Sequence, residues 1–136
     1  MAIPITIPNG STATGDEPAY APAEAAERTG LSIDTLRYYE RIGLLPAVPR
    51  TVGGRRRYRE RDLDTLGLLN CLRDTGMPIR EMQRFAALLA AGDETIPARV
   101  ALLEEHRDSA RTRIRQLQEQ LDRIERKIAH YEAELG

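Results

Sequence analysis

A chain of 136 residues with 41% hydrophobic and 30% charged content, one Phe and no Trp, suits one small helical domain with a well-solvated appendage and a thin aromatic core. Its single cysteine, Cys71, excludes an intramolecular disulfide and every cysteine-rich metal framework, and no apolar run is long enough to span a bilayer, so a soluble cytoplasmic protein without a membrane partner is expected. The net charge of -1 hides an asymmetry: residues 19–61 hold nine Lys/Arg against five Asp/Glu, whereas residues 62–136 hold eleven against fourteen, which leaves a basic N-terminal half able to meet phosphates.

Residues 1–18 mix Pro, Gly, Ser, Thr and Asn without periodicity and are expected to form a disordered leader with no assigned function. A short alanine-rich helix is predicted from Pro22, at its first turn, to a stop at Gly30. After Gly30 and Leu31, Ser32 is the expected N-cap of a second helix over residues 33–42. Two helices joined this tightly make a helix-turn-helix. On the second helix Leu36 points toward the first, while Arg37, Tyr38 and Arg41 fall within about 100° of one another and form a donor-rich face suited to a major groove. The plainer alternative is that Arg37 and Arg41 pair with Asp34 and Glu40 and touch nothing else.

Beyond Gly43, Pro46 and Pro49 a hairpin wing is predicted over residues 50–58, with Gly53 and Gly54 both supplying the positive backbone angles of its turn. Arg55, Arg56 and Arg57 repel one another on such a strand unless counter-charge is supplied, and phosphate is the natural counter-charge. An exposed basic loop or a nuclear-localisation run is the alternative. Leucines on several sides (Leu63, Leu66, Leu68, Leu69, Leu72) predict a buried helix over residues 60–75, ended by Gly76. The next helix begins near Pro78 and carries an ordinary core stripe of Ile79, Met82, Phe85 and Leu89.

From Thr95 to Leu135 a single rod of about 60 Å is expected, too long for one small chain to bury. Ile96, Val100, Leu103, Ala110, Ile114, Leu117, Leu121, Ile124, Ile128, Tyr131 and Leu135 keep a three-four heptad rhythm broken at Arg107, which is a coiled-coil seam. The dimerisation contacts are assigned to Val100, Leu103, Ile114, Leu117, Leu121, Ile124 and Ile128. The expected fold is therefore mostly α: a winged helix-turn-helix DNA-binding domain over residues 19–91, then a dimerisation helix over 95–135.

Four strings, Thr29-Gly30-Leu31-Ser32, Thr35-Leu36-Arg37-Tyr38-Tyr39-Glu40, Gly43-Leu44-Leu45-Pro46 and Gly54-Arg55-Arg56-Arg57-Tyr58, resemble the MerR family of transcription regulators, and the resemblance extends from Tyr20 to Leu135. It implies a homodimer whose helices pair antiparallel, bound to a pseudo-palindromic promoter with an overlong spacer that it distorts so that RNA polymerase can engage. Carried onto matching positions, it implies DNA contacts from Thr35, Arg37, Tyr38 and Arg41 on the helix and from Arg55, Arg56, Arg57 and Tyr58 on the wing. Ala21 and Arg59 depart from the family at helix starts where a hydroxyl is usual, for an expected capping loss of about 1 kcal/mol each.

As a residue, a lone cysteine on an apolar helix is a small core side chain. The strings Leu69-Asn70-Cys71-Leu72-Arg73-Asp74-Thr75-Gly76-Met77-Pro78 and Gly92-Asp93-Glu94-Thr95 instead resemble the branch of the family that responds to aldehydes and other electrophiles, which implies Cys71 as sensor. Such a thiol must react as thiolate, so it needs access, which Gly67 allows, and a cationic neighbour, for which His106 or a nearby Arg is the candidate. One thiol with His106 and His130 cannot build a metal site, so neither a metal nor a cofactor is expected. No nucleophile–base pair, phosphate-cradling loop or carboxylate pair suggests an enzyme, and a chain ending at Gly136 predicts no separate drug-binding domain. Two other readings stay open: a MerR-type regulator with a different small-molecule inducer and a structural Cys71, and a coiled-coil interaction protein whose arginines only solubilise it.

Overall fold

The computed structural model describes residues 17–136. In chain order these form β1 (Pro18–Tyr20), α1 (Pro22–Thr29), α2 (Ile33–Arg41), β2 (Tyr58–Arg59), α3 (Glu60–Asp74), α4 (Ile79–Ala91), a 3-10 turn (Asp93–Thr95) and α5 (Ile96–Leu135). The chain divides into two compact units, a head of residues up to Ile96 and the helix from Pro97 onward.

The leader expected over residues 1–18 lies almost wholly outside the described residues, and its end is corrected: Pro18 opens β1, which runs antiparallel to β2 with Pro18 opposite Arg59 and Tyr20 opposite Tyr58. A strand of three residues is too short to show alternation, and its partner lies some forty positions away, so nothing local announces it. Tyr20 reinforces the pairing by donating its hydroxyl to Glu60 Oε1 at 2.7 Å, and Arg28 reaches Glu60 Oε2 at 3.5 Å while lying over the Tyr20 ring.

The helix starts show how Ala21 and Arg59 manage without a hydroxyl. Neither side chain caps its helix, yet the Ala21 N–H donates to Glu24 Oε1 at 3.1 Å and the Arg59 N–H to Asp62 Oδ2 at 2.9 Å. The carboxylate three residues on supplies the returning half of a capping box, which offsets part of the expected loss. Arg59 goes further: its Nε and Nη2 bond both oxygens of Asp62, at 2.8 and 3.1 Å, with both residues buried. Between α1 and α2 the turn is short, and Ser32 Oγ accepts the Thr35 N–H at 3.0 Å as the expected N-cap.

Leu31, Leu36, Tyr39, Leu44 and Leu45 from the first half of the head are buried, as are Leu63, Leu66, Leu69, Leu72, Met82 and Phe85 from α3 and α4. Burying a side chain of this size contributes about 1.5–3 kcal/mol, so this core holds the head together. Two expected core residues differ: Leu68 and Ile79 are 37% and 39% exposed. With leucines all round α3, one side still has to face outward, and Leu68 falls there. On α5 the expected seam residues Val100, Ile114, Leu117, Leu121, Ile124 and Ile128 are between 46% and 65% exposed, and Leu103 is half-buried.

Candidate nucleic-acid interface

Helix α2 ends in a tight reversal. Leu44 N–H donates to the Tyr39 carbonyl at 2.8 Å and Gly43 N–H to the Glu40 carbonyl at 3.2 Å, with Gly43 at φ +86°. This is a Schellman closure, and a side chain at Gly43 would strain it. Gln83 Nε2 adds a bond to the Ile42 carbonyl at 2.8 Å, so the C-terminal end of the helix is held from α4 as well.

With Leu36 and Tyr39 buried, the outward face of α2 presents Arg37, Tyr38 and Arg41, and the Arg41 guanidinium lies 5.4 Å from the Tyr38 ring centre. Thr35 is half-buried and its hydroxyl accepts from Ser32 Oγ. The surface pairs considered for Arg37 and Arg41 are not formed. Glu40 turns instead toward the hairpin, where Oε1 accepts Arg56 Nε at 2.8 Å and Oε2 accepts the Val48 N–H at 3.3 Å.

Residues 49–57 do form an antiparallel hairpin. Arg57 N–H donates to the Pro49 carbonyl at 2.8 Å, Arg50 bridges Arg56, Thr51 N–H donates to the Arg55 carbonyl at 2.7 Å, and Gly54 N–H closes the turn onto the Thr51 carbonyl at 2.9 Å. The turn differs from the expected one: only Gly54 takes a positive φ, +86°, and Gly53 does not. A three-residue loop needs one left-handed residue after its turn, whereas a two-residue loop of type I′ needs both central residues there.

The three arginines of the hairpin are placed differently. Arg55 is exposed, Arg57 is half-buried, and Arg56 is held against Glu40 with 22% of its side chain exposed. Tyr58 is a correction, because it is fully buried and cannot contact the DNA backbone as expected. Its hydroxyl has no hydrogen-bond partner among the described residues, and burial raises its pKa, helped by Glu40 and opposed by Arg56 and Arg37. Strand alternation puts Tyr58 on the same inward face as Arg56, opposite to Arg57.

Two groups of arginines in the head can thus be told apart. Arg28, Arg56 and Arg59 are spent on Glu60, Glu40 and Asp62. Among the described residues no carboxylate lies within ion-pairing distance of Arg37, Arg41, Arg55 or Arg57. Elsewhere, Cys71 is exposed on α3, and a side chain at Gly67, one turn earlier, would meet nothing within 4 Å. Arg73 is engaged with Asn70, Asp74 and the Tyr39 hydroxyl. Among the described residues no group of three or more metal-ligating side chains gathers, and no helix is long and apolar enough to cross a membrane.

A tight helix-turn-helix whose second helix turns unpaired arginines outward beside a basic hairpin is the head of a helix-turn-helix DNA-binding protein. Residues 20–89 match the family model for MerR HTH family regulatory proteins, and the chain belongs to that family of transcription regulators, which are not enzymes. An HTH-type transcriptional regulator of Haemophilus influenzae is 42% identical over 113 residues, covering 83% of this chain and 84% of that protein. The regulator AdhR of Bacillus subtilis is 39% identical over 85 residues, 62% of this chain and 61% of its own. Among solved structures, HiNmlR, a MerR family regulator lacking the sensor domain and bound to promoter DNA, superposes with a TM-score of 0.75 at 42% identity, over 83% of this chain and 90% of that one. A MerR family regulator from Listeria monocytogenes gives a TM-score of 0.79 at 38% identity, over 84% and 86%.

Proposed function

We propose that the protein is a homodimeric regulator that grips promoter DNA with two heads and distorts it so that RNA polymerase can engage. In this reading α2 enters the major groove, the hairpin is a wing on the phosphate backbone, and the seam of α5 closes an antiparallel coiled coil that sets two half-sites apart. The domains are a head over residues 19–91 and a dimerisation helix over 95–135. Arg37, Tyr38, Arg41, Arg55 and Arg57 contact the duplex, with Thr35 at the mouth of the groove. The observation that carries it is the set of outward arginines without acidic partners on α2 and the hairpin.

The test is a mobility shift with a duplex from upstream of the protein's own gene, repeated as salt rises. Four arginines from each of two heads neutralise at most about eight phosphates, which gives a slope of log K against log salt near -7 and a loss of about 10³- to 10⁵-fold between 50 and 200 mM salt. Absence of binding, or binding indifferent to salt, overturns the proposal in favour of a coiled-coil interaction protein.

The signal we assign to Cys71, as a sensor of aldehydes or related electrophiles. Its exposure and the open space at Gly67 support this. Mass spectrometry after exposure to formaldehyde, methylglyoxal or quinones, beside transcription from Cys71→Ser, tests it. An adduct on Cys71 and loss of induction in the variant are expected; unchanged induction means another small-molecule inducer and a structural cysteine.

A further inference from the structure

We propose that Arg56, in the middle of the basic run, is a positioning residue and not a phosphate ligand: through Glu40 it fixes the hairpin to α2 and so sets the span between the two DNA-contacting elements. The inference rests on the DNA-binding reading above.

Glu40 is the hub. Its two oxygens take the Arg56 Nε at 2.8 Å and the Val48 N–H at 3.3 Å, so one carboxylate on α2 holds both the hairpin strand and the loop leading into it. The side chains of Arg56 and Glu40 are 22% and 17% exposed, so the pair is largely withdrawn from water. For Arg56 to leave for a phosphate, Glu40 would be stranded, charged and largely desolvated, beside a polyanion, and that costs more than an exposed pair would.

The strand's own geometry agrees. Side chains alternate across a strand, so Arg55 and Arg57 go to one face and Arg56 to the other. The Arg50–Arg56 bridge and the Arg57 N–H bond to Pro49 lock this register, and a slip of one residue would exchange the faces. The inward face of that alternation meets Glu40.

The test uses the full chain, a duplex from upstream of its own gene and a random-sequence duplex, with affinity measured across a salt series. Arg56→Gln and Glu40→Gln are each expected to weaken binding about three- to tenfold while the salt slope stays unchanged, because no phosphate contact is lost. Their double variant is expected to be no weaker than either one, since both break the same tie. Arg55→Gln, by contrast, is expected to make the slope shallower by about 1.8 for a dimer.

A shallower slope for Arg56→Gln, additive losses in the double variant, or tighter binding by Glu40→Gln, as removal of a mere repulsive charge would give, overturns the assignment. Circular dichroism checks that each variant keeps its helices, and if Glu40→Gln does not fold, the slope for Arg56→Gln decides alone. A parent chain that binds neither duplex overturns the DNA-binding reading and this assignment with it. A parent that binds, with a shallower Arg56→Gln slope, overturns only the latter.

Discussion

Replacing Leu117 by Ala in α5 tests the reading that the long helix is a dimer seam. Leu117 is 58% exposed in the single chain. Full burial of a leucine contributes about 1.5–3 kcal/mol, so the share still open to a partner is about 0.9–1.7 kcal/mol. In a two-fold dimer the substitution occurs twice, for about 2–3.5 kcal/mol, which at 1.4 kcal/mol per tenfold raises the dimer Kd about 30- to 300-fold. Alanine is the best helix former, so the helix itself should persist and the loss should fall on association. Sedimentation velocity over a concentration series, with circular dichroism in parallel, reads both quantities. A parent chain that stays monomeric at micromolar concentration, or a variant whose Kd moves less than about threefold, would refute the argument.

Three further outcomes follow from the head. Asp62→Ala strands the buried Arg59 and is expected to cost about 3–5 kcal/mol in urea unfolding; a loss below about 1 kcal/mol would mean that the pair is dispensable. Tyr58→Phe removes a hydroxyl without a partner among the described residues and is expected to leave stability within about 0.5 kcal/mol or raise it, so a clear loss would reveal a hidden bond. Asp64 is exposed on α3, and only partial desolvation of its carboxyl, then Glu60, raises its pKa, with Arg28 opposing. A carboxyl raised on folding is a liability that is absent below its ordinary value of 3.8 and grows as pH climbs through the raised value, so Asp64→Asn should increase the Tm at pH 7 and not below pH 3.8. An unchanged Tm at pH 7 would dismiss that effect.

The helices and their faces were legible because their signals are local. Pro22, Ser32, Gly43 and Gly76 mark the ends of helices, and the rhythm from Val100 to Ile128 shows on a single line of text. The remaining features depend on non-local contacts. Tyr20 and Tyr58 meet across 38 positions, and Glu40 and Arg56 across 16, and no periodicity ties such residues together before the chain folds. The same gap explains Tyr58, which looks like the end of a basic patch in sequence and is core in the folded head. The capping of α1 and α3 sat between these cases. Glu24 and Asp62 stand three residues after Ala21 and Arg59, which is half of a capping box, and that half is written in the sequence even though the hydroxyls are missing.

Net charge alone would count Arg28, Arg56 and Arg59 with the rest, yet the structure gives them internal work, and the distinction bears on mechanism. On the proposed reading the regulator acts by deforming a duplex, and smooth bending of a short site costs on the order of 1–6 kcal/mol. A head that yields more easily than DNA would absorb that strain in its own joints and transmit none of it. The joint at risk is the one between α2 and the hairpin, which are separated by a loop, and there Glu40 bonds Arg56 and Val48 while buried Leu44, Leu45 and Val48 pin the loop to the core. Gln83 holds the Ile42 carbonyl from the other side. A close-packed joint of this kind resists continuous deformation, so on that reading the strain of binding would fall on the nucleic acid, where such a regulator needs it.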